Sequence, residues 1–443
     1  MLTLNAFNPD DSEGLDPEAL SLVERRQKTF GPTSMLFYRR PLNIVRGEGV
    51  WLYDADGRRY LDAYNNVPSI GHCHPHVVAA VARQMGTLNT HTRYLYENVY
   101  DYAERLLATF PPEVSNIVFT CTGSESVDLA LRIARTTTGG KGFIATANAY
   151  HGNTTTATEV SPSSASAEPV GPHIVFVAAP DTYRAPDGAA EDRFLKDVET
   201  AIETLEARGF KVAGMIADSI LSSDGVYPGL PGFLANAAAL VRKAGGLYIA
   251  DEVQPGFGRT GAGMWGFARH DLVPDLVVMG KPMGNGYPIG AVVAKPEVLA
   301  AFGKVSGYFN TFGGSPVAAA AGMAVLDIIE QEGLIENARQ TGDYLMSELR
   351  KLQARHATIG DVRGAGLFIG IEFVVPDGSK RHDRALAVRT MNGLRERAVL
   401  GGTAGIEGNV WKVRPPLLFT REHADLLVAT LDAELTAQGS RLA

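Results

Sequence analysis

Residues 246–286 read GLYIADEVQPGFGRTGAGMWGFARHDLVPDLVVMGKPMGNG, and two features of this stretch decide the fold. An apolar run, Gly246–Ala250, ends on Asp251. A second, Leu276–Met279, ends one glycine before Lys281. Short apolar runs rich in branched residues read as strands buried on both faces, the pattern of a parallel sheet covered by helices. Ligands of open α/β sheets bind beyond the carboxyl ends of the strands. The acid and, about 30 residues later, the lysine therefore face one crevice. A carboxylate buried there needs a partner, and a protonated pyridine nitrogen is a suitable one; a helix-capping role is the plainer alternative. A lysine in an apolar, water-poor site has its ammonium form destabilised and becomes available as a Schiff-base nucleophile and proton shuttle. A surface lysine in a Gly/Pro-rich turn is the plainer reading of the same residue.

Working outward, the same alternation of short strands and helical stretches predicts further strands at Asn116–Thr120, Gly142–Thr146, Ile174–Val177, Val212–Ala217 and Gly290–Ala294. With the two above they make a mostly parallel, seven-stranded sheet between helices. A long helix, Pro316–Glu332, leads out of it, and the remainder, with short strands at Leu367–Val374 and Val410–Val413, suits a smaller α+β domain. The expected division is an N-terminal segment over 1–74 packing with the small domain, a large domain over 75–332 and a small domain over 333–443. Residues 43–63 read as a β-hairpin turning at Asp56-Gly57, and Pro17–Lys28 as a helix. Ser161–Glu168 is a small low-complexity loop.

A third constellation, Thr120-Cys121-Thr122-Gly123-Ser124-Glu125, lies between a predicted strand and a helix over Glu125–Arg135. A Gly/Ser turn opening a helix leaves backbone N–H groups free beside the positive end of the dipole, a cup for a phosphate; a plain helix cap is the alternative. Two other motifs carry less. Gly261–Gly266 fits GxGxxG, but no strand feeds it, so dinucleotide binding is not expected. His72-Cys73-His74-Pro75-His76 alternates ligand types around a proline and matches no closed zinc spacing, so no metal site is expected.

The chain has 443 residues, more than one ordinary core, and a net charge of −8. That balance argues against a nucleic-acid partner. Its two cysteines, Cys73 and Cys121, form no CxxC pair and suit a reducing compartment. No run of 18 apolar residues suggests a membrane span, and the acidic start MLTLNAFNPDDSEG lacks the apolar region of a secretory signal. The expected location is the cytoplasm, which leaves the glycosylation-type sequence Asn153-Thr154-Thr155 idle.

Taken together, GEGVWLYDADGRRYLD, GHCHP, TCTGSES, AYHGN, ADEVQPGFGRTG, MGKPMGNGYPIGA and NTFGGSP resemble the class III aminotransferases, fold type I enzymes that use pyridoxal 5′-phosphate, from about Gly31 to Thr420. The resemblance implies that Lys281 forms the internal aldimine with the cofactor and that Asp251 holds the proton on its ring nitrogen. It places Val253 under the ring, Gln254 by the phenolic oxygen, Gly123 and Ser124 at the phosphate, and Tyr150 and His151 beside the ring. Thr311 resembles a residue that reaches the phosphate of a neighbouring subunit, which implies a homodimer with shared sites, or a pair of such dimers.

The implied reaction passes through a quinonoid and moves an amino group from a small primary amine or amino acid to a 2-oxo acid. Asn65-Asn66-Val67, Asn89–Tyr94 and Pro180–Arg184 are also similar to the ethanolamine-phosphate phospho-lyases of the same class, which eliminate phosphate and ammonia. A catalytically silent binding protein on this fold is the alternative of another class. Arg414 matches a family arginine that takes a substrate carboxylate, and its planar fork suits a phosphate equally. Trp51 and Asn153 complete the expected substrate set. Asn153 stands where 4-aminobutyrate enzymes carry arginine, and Asp218 where they carry glutamate, which argues against that substrate. Arg39, Arg40 and Lys412 read first as solvated surface, and otherwise as positive charge at the site mouth.

Overall fold

The computed structural model describes residues 5–164, 169–185 and 189–439. Residues 165–168 of the low-complexity loop and the first four residues of the acidic N-terminal stretch lie outside the described residues.

The expected hairpin over 43–63 is a three-stranded meander of β1 (Ile44–Glu48), β2 (Trp51–Asp54) and β3 (Arg59–Asp62), each antiparallel to the next. The turn at Asp56-Gly57 is present. The reversal that sequence reading passed over is at Gly49, whose φ of +56° suits glycine.

The large sheet contains β4 (Asn116–Thr120), β5 (Gly142–Thr146), β6 (Ile174–Val177), β7 (Val212–Asp218), β8 (Leu247–Asp251), β9 (Leu276–Met279) and β10 (Gly290–Ala294). Its seven strands run in the order β4-β10-β9-β8-β7-β5-β6. Only β10 is reversed, antiparallel to both β4 and β9; the other neighbours pair in parallel. Alternating side chains enter two cores. Ala250, Val277 and Met279 face one, and Ile249, Leu276 and Val278 the other. Helices Gly123–Thr138, Ala189–Ala207 and Phe233–Lys243 pack on the strands. Both faces are thus covered, which explains why β5, β7, β9 and β10 are buried along their whole length. Because every strand but β10 runs the same way, the carboxyl ends of β4, β5, β7, β8 and β9 share one edge.

After the helix Pro316–Gln331, the chain forms β11 (Ile359–Ala365), β12 (Phe368–Phe373), β13 (Val399–Leu400), β14 (Thr403–Ala404) and β15 (Val410–Val413). A four-stranded sheet of order β11-β12-β15-β14 packs with helices Leu334–Gln353 and Arg384–Glu396, against which the helix Arg421–Ala437 lies. The short β13 leaves this group and pairs in parallel with β3, so the N-terminal meander is stitched to the C-terminal part of the chain. No helix among the described residues is long and apolar enough to cross a membrane.

Candidate active site

The turn after β4 opens the helix Gly123–Thr138. Thr122 is its N-cap, accepting from the Glu125 amide at 3.2 Å, and Gly139 closes it at φ +68°. The helix therefore begins two residues before the expected Glu125, and Gly123 and Ser124 occupy its first turn. Amides there have no intrahelical carbonyl to meet, and the dipole adds positive potential. Glycine at 280 is what brings the end of β9 to this turn: a Cβ there would lie 2.9 Å from the Gly123 nitrogen.

Asp251 ends β8 and is 5 % exposed. Its Oδ2 lies 2.6 Å from His151 Nδ1, and its Oδ1 accepts from the Val253 amide at 3.0 Å. His151 Nε2 is buried with no protein partner. The carboxylate is thus held in one orientation with lone pairs to spare. Beside it Val253, 6 % exposed, and the half-buried Tyr150 form walls.

Lys281 follows β9 at φ +21°, a conformation few side-chain-bearing residues adopt. Its side chain is open to a cavity of about 320 Å³ lined also by Gly123, Ser124, Tyr150, His151, Asp251 and Val253. Lys281 is solvent-accessible and borders both this cavity and the second one described below. Surrounding protein removes enough solvent to push the amine down to about 8, first by burial and then by the Arg414 charge. The site therefore offers a nucleophilic amine, an oriented carboxylate and an anion cup around one slot.

A second cavity, about 190 Å³, continues from Lys281 and Tyr150 to Lys412 and Arg414. Arg414 is 6 % exposed and donates to Asn66 Oδ1 at 3.1 Å and to Gln254 Oε1, while its guanidinium lies 4.8 Å from the Tyr64 ring centre. Gln254 in turn donates to Ser222 Oγ at 2.7 Å, and Ser222 Oγ to Asp218 Oδ2 at 2.8 Å. The Asp218 carboxyl also accepts from the Ile220 and Ser222 amides. Burial, then the Asp251 charge, raises its pKa.

Lys412 corrects an expectation. It is no surface residue: it is 6 % exposed and lines the cavity, and burial followed by Arg414 repulsion pulls its amine well below the ordinary range. The signal was in the sequence. Side chains of a strand alternate, so Lys412 and Arg414 share the face opposite the fully buried Trp411 and Val413. Tyr64, Asn66, Ser222 and Ser223 were also missed as site residues. They lie on loops and turns, where no periodicity marks them.

Other expectations need relocation. Trp51 lines neither cavity; it packs with His423 at 5.6 Å and under the Arg59 guanidinium at 4.5 Å, because its strand sits in the meander and not at the edge of the large sheet. Asn153 is exposed just outside the cup, its amide donating to Ser124 Oγ at 3.1 Å. Thr311 is exposed and lines neither cavity of its own chain. Arg39 and Arg40 line a separate groove with Arg384 and Arg389. The three histidines of HCHPH diverge to three acids: His72 to Asp62 at 2.7 Å, His74 to Glu332 at 3.6 Å and His76 to Asp327 at 2.8 Å. In the GxGxxG stretch, the amides of Gly266 and Phe267 are taken by the Glu252 carboxyl, which burial pushes up to about 8.

The pattern of the family described as "Aminotransferase class-III" matches residues 37–435. The chain belongs to the class III aminotransferases. It is a pyridoxal 5′-phosphate-dependent enzyme, and the slot fits that group: an anion cup, an oriented carboxylate and a depressed amine converge on one cavity. This class III aminotransferase is 40 % identical to alanine–glyoxylate aminotransferase 2 homolog 2, mitochondrial, of Arabidopsis thaliana, over 97 % of this chain and 90 % of that one. It is 37 % identical to ethanolamine-phosphate phospho-lyase homolog 1 of Caenorhabditis elegans, over 94 % and 93 %. A solved phospholyase from Arthrobacter in complex with phosphoethanolamine superposes with a TM-score of 0.92 at 46 % identity, covering 94 % of this chain and 99 % of that one. The expected cytoplasmic location is corrected by these matches, since the plant relative bears a mitochondrial name. Composition alone does not distinguish the two compartments.

Proposed function

We propose that Gly123 and Ser124 hold the cofactor phosphate, Asp251 its ring nitrogen and Lys281 its aldehyde, with Val253 and Tyr150 against the ring and Gln254 towards its phenolic oxygen. The observation that carries this reading is the convergence of Lys281, Asp251 and the first turn of Gly123–Thr138 on one cavity. When bound, pyridoxal 5′-phosphate supplies an aldehyde that condenses with amines and a protonated ring that draws electrons from the neighbouring carbon. Asp251 keeps that ring nitrogen protonated, and His151 orients Asp251. Lys281 Nζ would take the proton from the amine-bearing carbon of the substrate and deliver it to the former aldehyde carbon of the cofactor, the 1,3-shift that moves the amino group. Arg414 and Lys412 hold the substrate's anionic group at the far end of the second cavity. The enzyme thus moves an amino group from a small anionic amine to a 2-oxo acid.

A second reading, elimination of phosphate from ethanolamine phosphate, is favoured by Lys412 beside Arg414. A bound dianion would favour the ammonium form of Lys412 and accept from both side chains, more than a carboxylate would, and the Arthrobacter relative is seen with phosphoethanolamine. One experiment separates the two. The holoenzyme is given ethanolamine phosphate without a 2-oxo acid, and in parallel alanine with glyoxylate. Glycine formation without phosphate release is expected for the transaminase; sustained phosphate release with no glycine overturns that reading in favour of the lyase.

The lowered Lys281 pKa adds a prediction. An amine with a depressed pKa is neutral, and so nucleophilic, above that pKa. Cofactor uptake by the apo-protein, followed by absorbance, should therefore accelerate through a midpoint near 8; a midpoint near the ordinary 10.5 would show a hydrated amine.

We also take the working unit to be a homodimer. Tyr94, Leu95, Phe309 and Phe312 are exposed at 63, 89, 45 and 72 % beside Thr311, and exposed apolar groups of this size mark association surfaces. A division at 74/75 and 332/333, with 1–74 joined to the small domain, is supported by the pairing of β3 with β13.

A further inference from the structure

Arg414 owes its position to the turn after β3. Its backbone amide donates to Ala63 O at 2.9 Å, its guanidinium donates to Asn66 and stacks near Tyr64, and all three partners lie within four residues of Asp62. The turn that presents them is tied by Asp62, which is fully buried. Asp62 Oδ1 accepts from the amides of Tyr64 and Asn65 at 3.0 and 2.9 Å. Its other oxygen lies 2.7 Å from His72 Nε2. Burial alone would raise the Asp62 pKa; the hydrogen bond and charge of His72, with the turn amides, outweigh it and hold the carboxyl below its ordinary value. His72 is itself pinned: its amide and carbonyl pair with Gly49 at 2.8 and 3.1 Å, and Gly47 packs so closely that a Cβ there would lie 2.9 Å from the His72 Cβ. The fixed backbone of GHCHP thus aims one imidazole at one carboxylate, and that carboxylate sets the turn facing the substrate cavity.

We propose that His72 and Asp62 are positioning residues for substrate selection: their bond holds the Tyr64–Asn66 turn, and through it Arg414, in the geometry that receives the substrate's anionic group. Neither residue lines the cavity, and neither takes part in the chemistry. The inference rests on the reading of Arg414 as the anion-binding residue. An anion held by a misaligned guanidinium loses the two-pronged contact that makes arginine selective. Removing the imidazole also leaves a buried carboxylate short of a partner, so the turn relaxes to find another.

The test compares KM and kcat for an anionic amine and for isopropylamine, which carries no anion, in holoenzyme variants of matched cofactor content. His72→Asn keeps a polar side chain but cannot reach Asp62; His72→Gln places its amide nitrogen near the Nε2 position. His72→Asn should raise KM for the anionic amine on the order of tenfold, the loss of one charge-assisted contact, leave KM for isopropylamine and the cofactor absorbance unchanged, and be rescued by His72→Gln. Asp62→Asn, which keeps the shape and loses the charge, should behave like His72→Asn and serves if the latter fails to fold. Equal rises for both amines, or no rise beside a clear effect of Arg414→Ala, would overturn the inference alone. No effect of Arg414→Ala on the anionic amine would instead remove the anion-binding reading beneath it.

Discussion

Lys281→Ala is expected to abolish turnover, by at least about 10⁴-fold, since in the proposed arrangement one substitution removes both the covalent hold on the cofactor and the proton carrier, and proton transfer by a positioned side chain alone contributes up to roughly that factor. The variant should still bind pyridoxal 5′-phosphate through the cup at Gly123 and Ser124, with the absorbance of the free aldehyde in place of the lysine-bound form. The substitution itself is mild for folding. Lys281 opens onto a cavity and makes no ion pair among the described residues, so the melting temperature of the apo-protein should stay close to that of the parent. Turnover near the parent level in a variant shown by mass to carry alanine would remove Lys281 from the chemistry.

Asp251→Asn carries the second largest effect. Asparagine keeps the shape of the side chain and an oxygen for the Val253 amide, but not the negative charge that favours a protonated ring nitrogen. Loss of one preorganised electrostatic contact at a reacting centre typically costs on the order of 10²–10³-fold, and a similar fall in kcat is expected here. Cofactor content should hold, because the cup and Lys281 are untouched. The partner His151 sharpens the test. With the charge gone, His151→Asn should add little to Asp251→Asn, whereas alone it should slow the enzyme through a looser Asp251. Full activity of Asp251→Asn at full cofactor content would show that its charge is not used.

Much of the large sheet was legible because both faces of its strands are buried. Runs such as LVVM and GAVVA then have no polar side to blur them, and their ends coincide with the strand ends in the structure. Asp251 and Lys281 were legible for a related reason: each is the first charged residue after such a run. The boundary at Gly123 was read two residues late, since a threonine cap looks like turn residue and helix residue alike. The meander was read as one hairpin because Gly49, unlike Asp56-Gly57, has no partner residue to announce the reversal.

The end of the site proposed for the substrate was the least legible part. Arg414 was reached through its family motif, but Lys412 was weighed as a surface lysine, when the alternation of Trp411, Lys412, Val413 and Arg414 already placed it on the arginine's side. Tyr64 and Asn66 reach Arg414 from about 350 residues earlier in the chain, and no local pattern predicts a contact of that span. Trp51 was drawn to the site by its motif and belongs to the meander, where Arg59 and His423 enclose it.

The pairing of β3 with β13 has a bearing on how the enzyme is made. During synthesis from the N-terminus, all the strands of the large sheet have left the ribosome once Ala294 emerges, whereas Leu400, Lys412 and Arg414 arrive more than a hundred residues later. The nascent chain therefore completes the framework that carries Lys281 and Asp251 well before Lys412 and Arg414, the groups proposed to hold the substrate's anion, and on that proposal selectivity is the last property the folding polypeptide acquires.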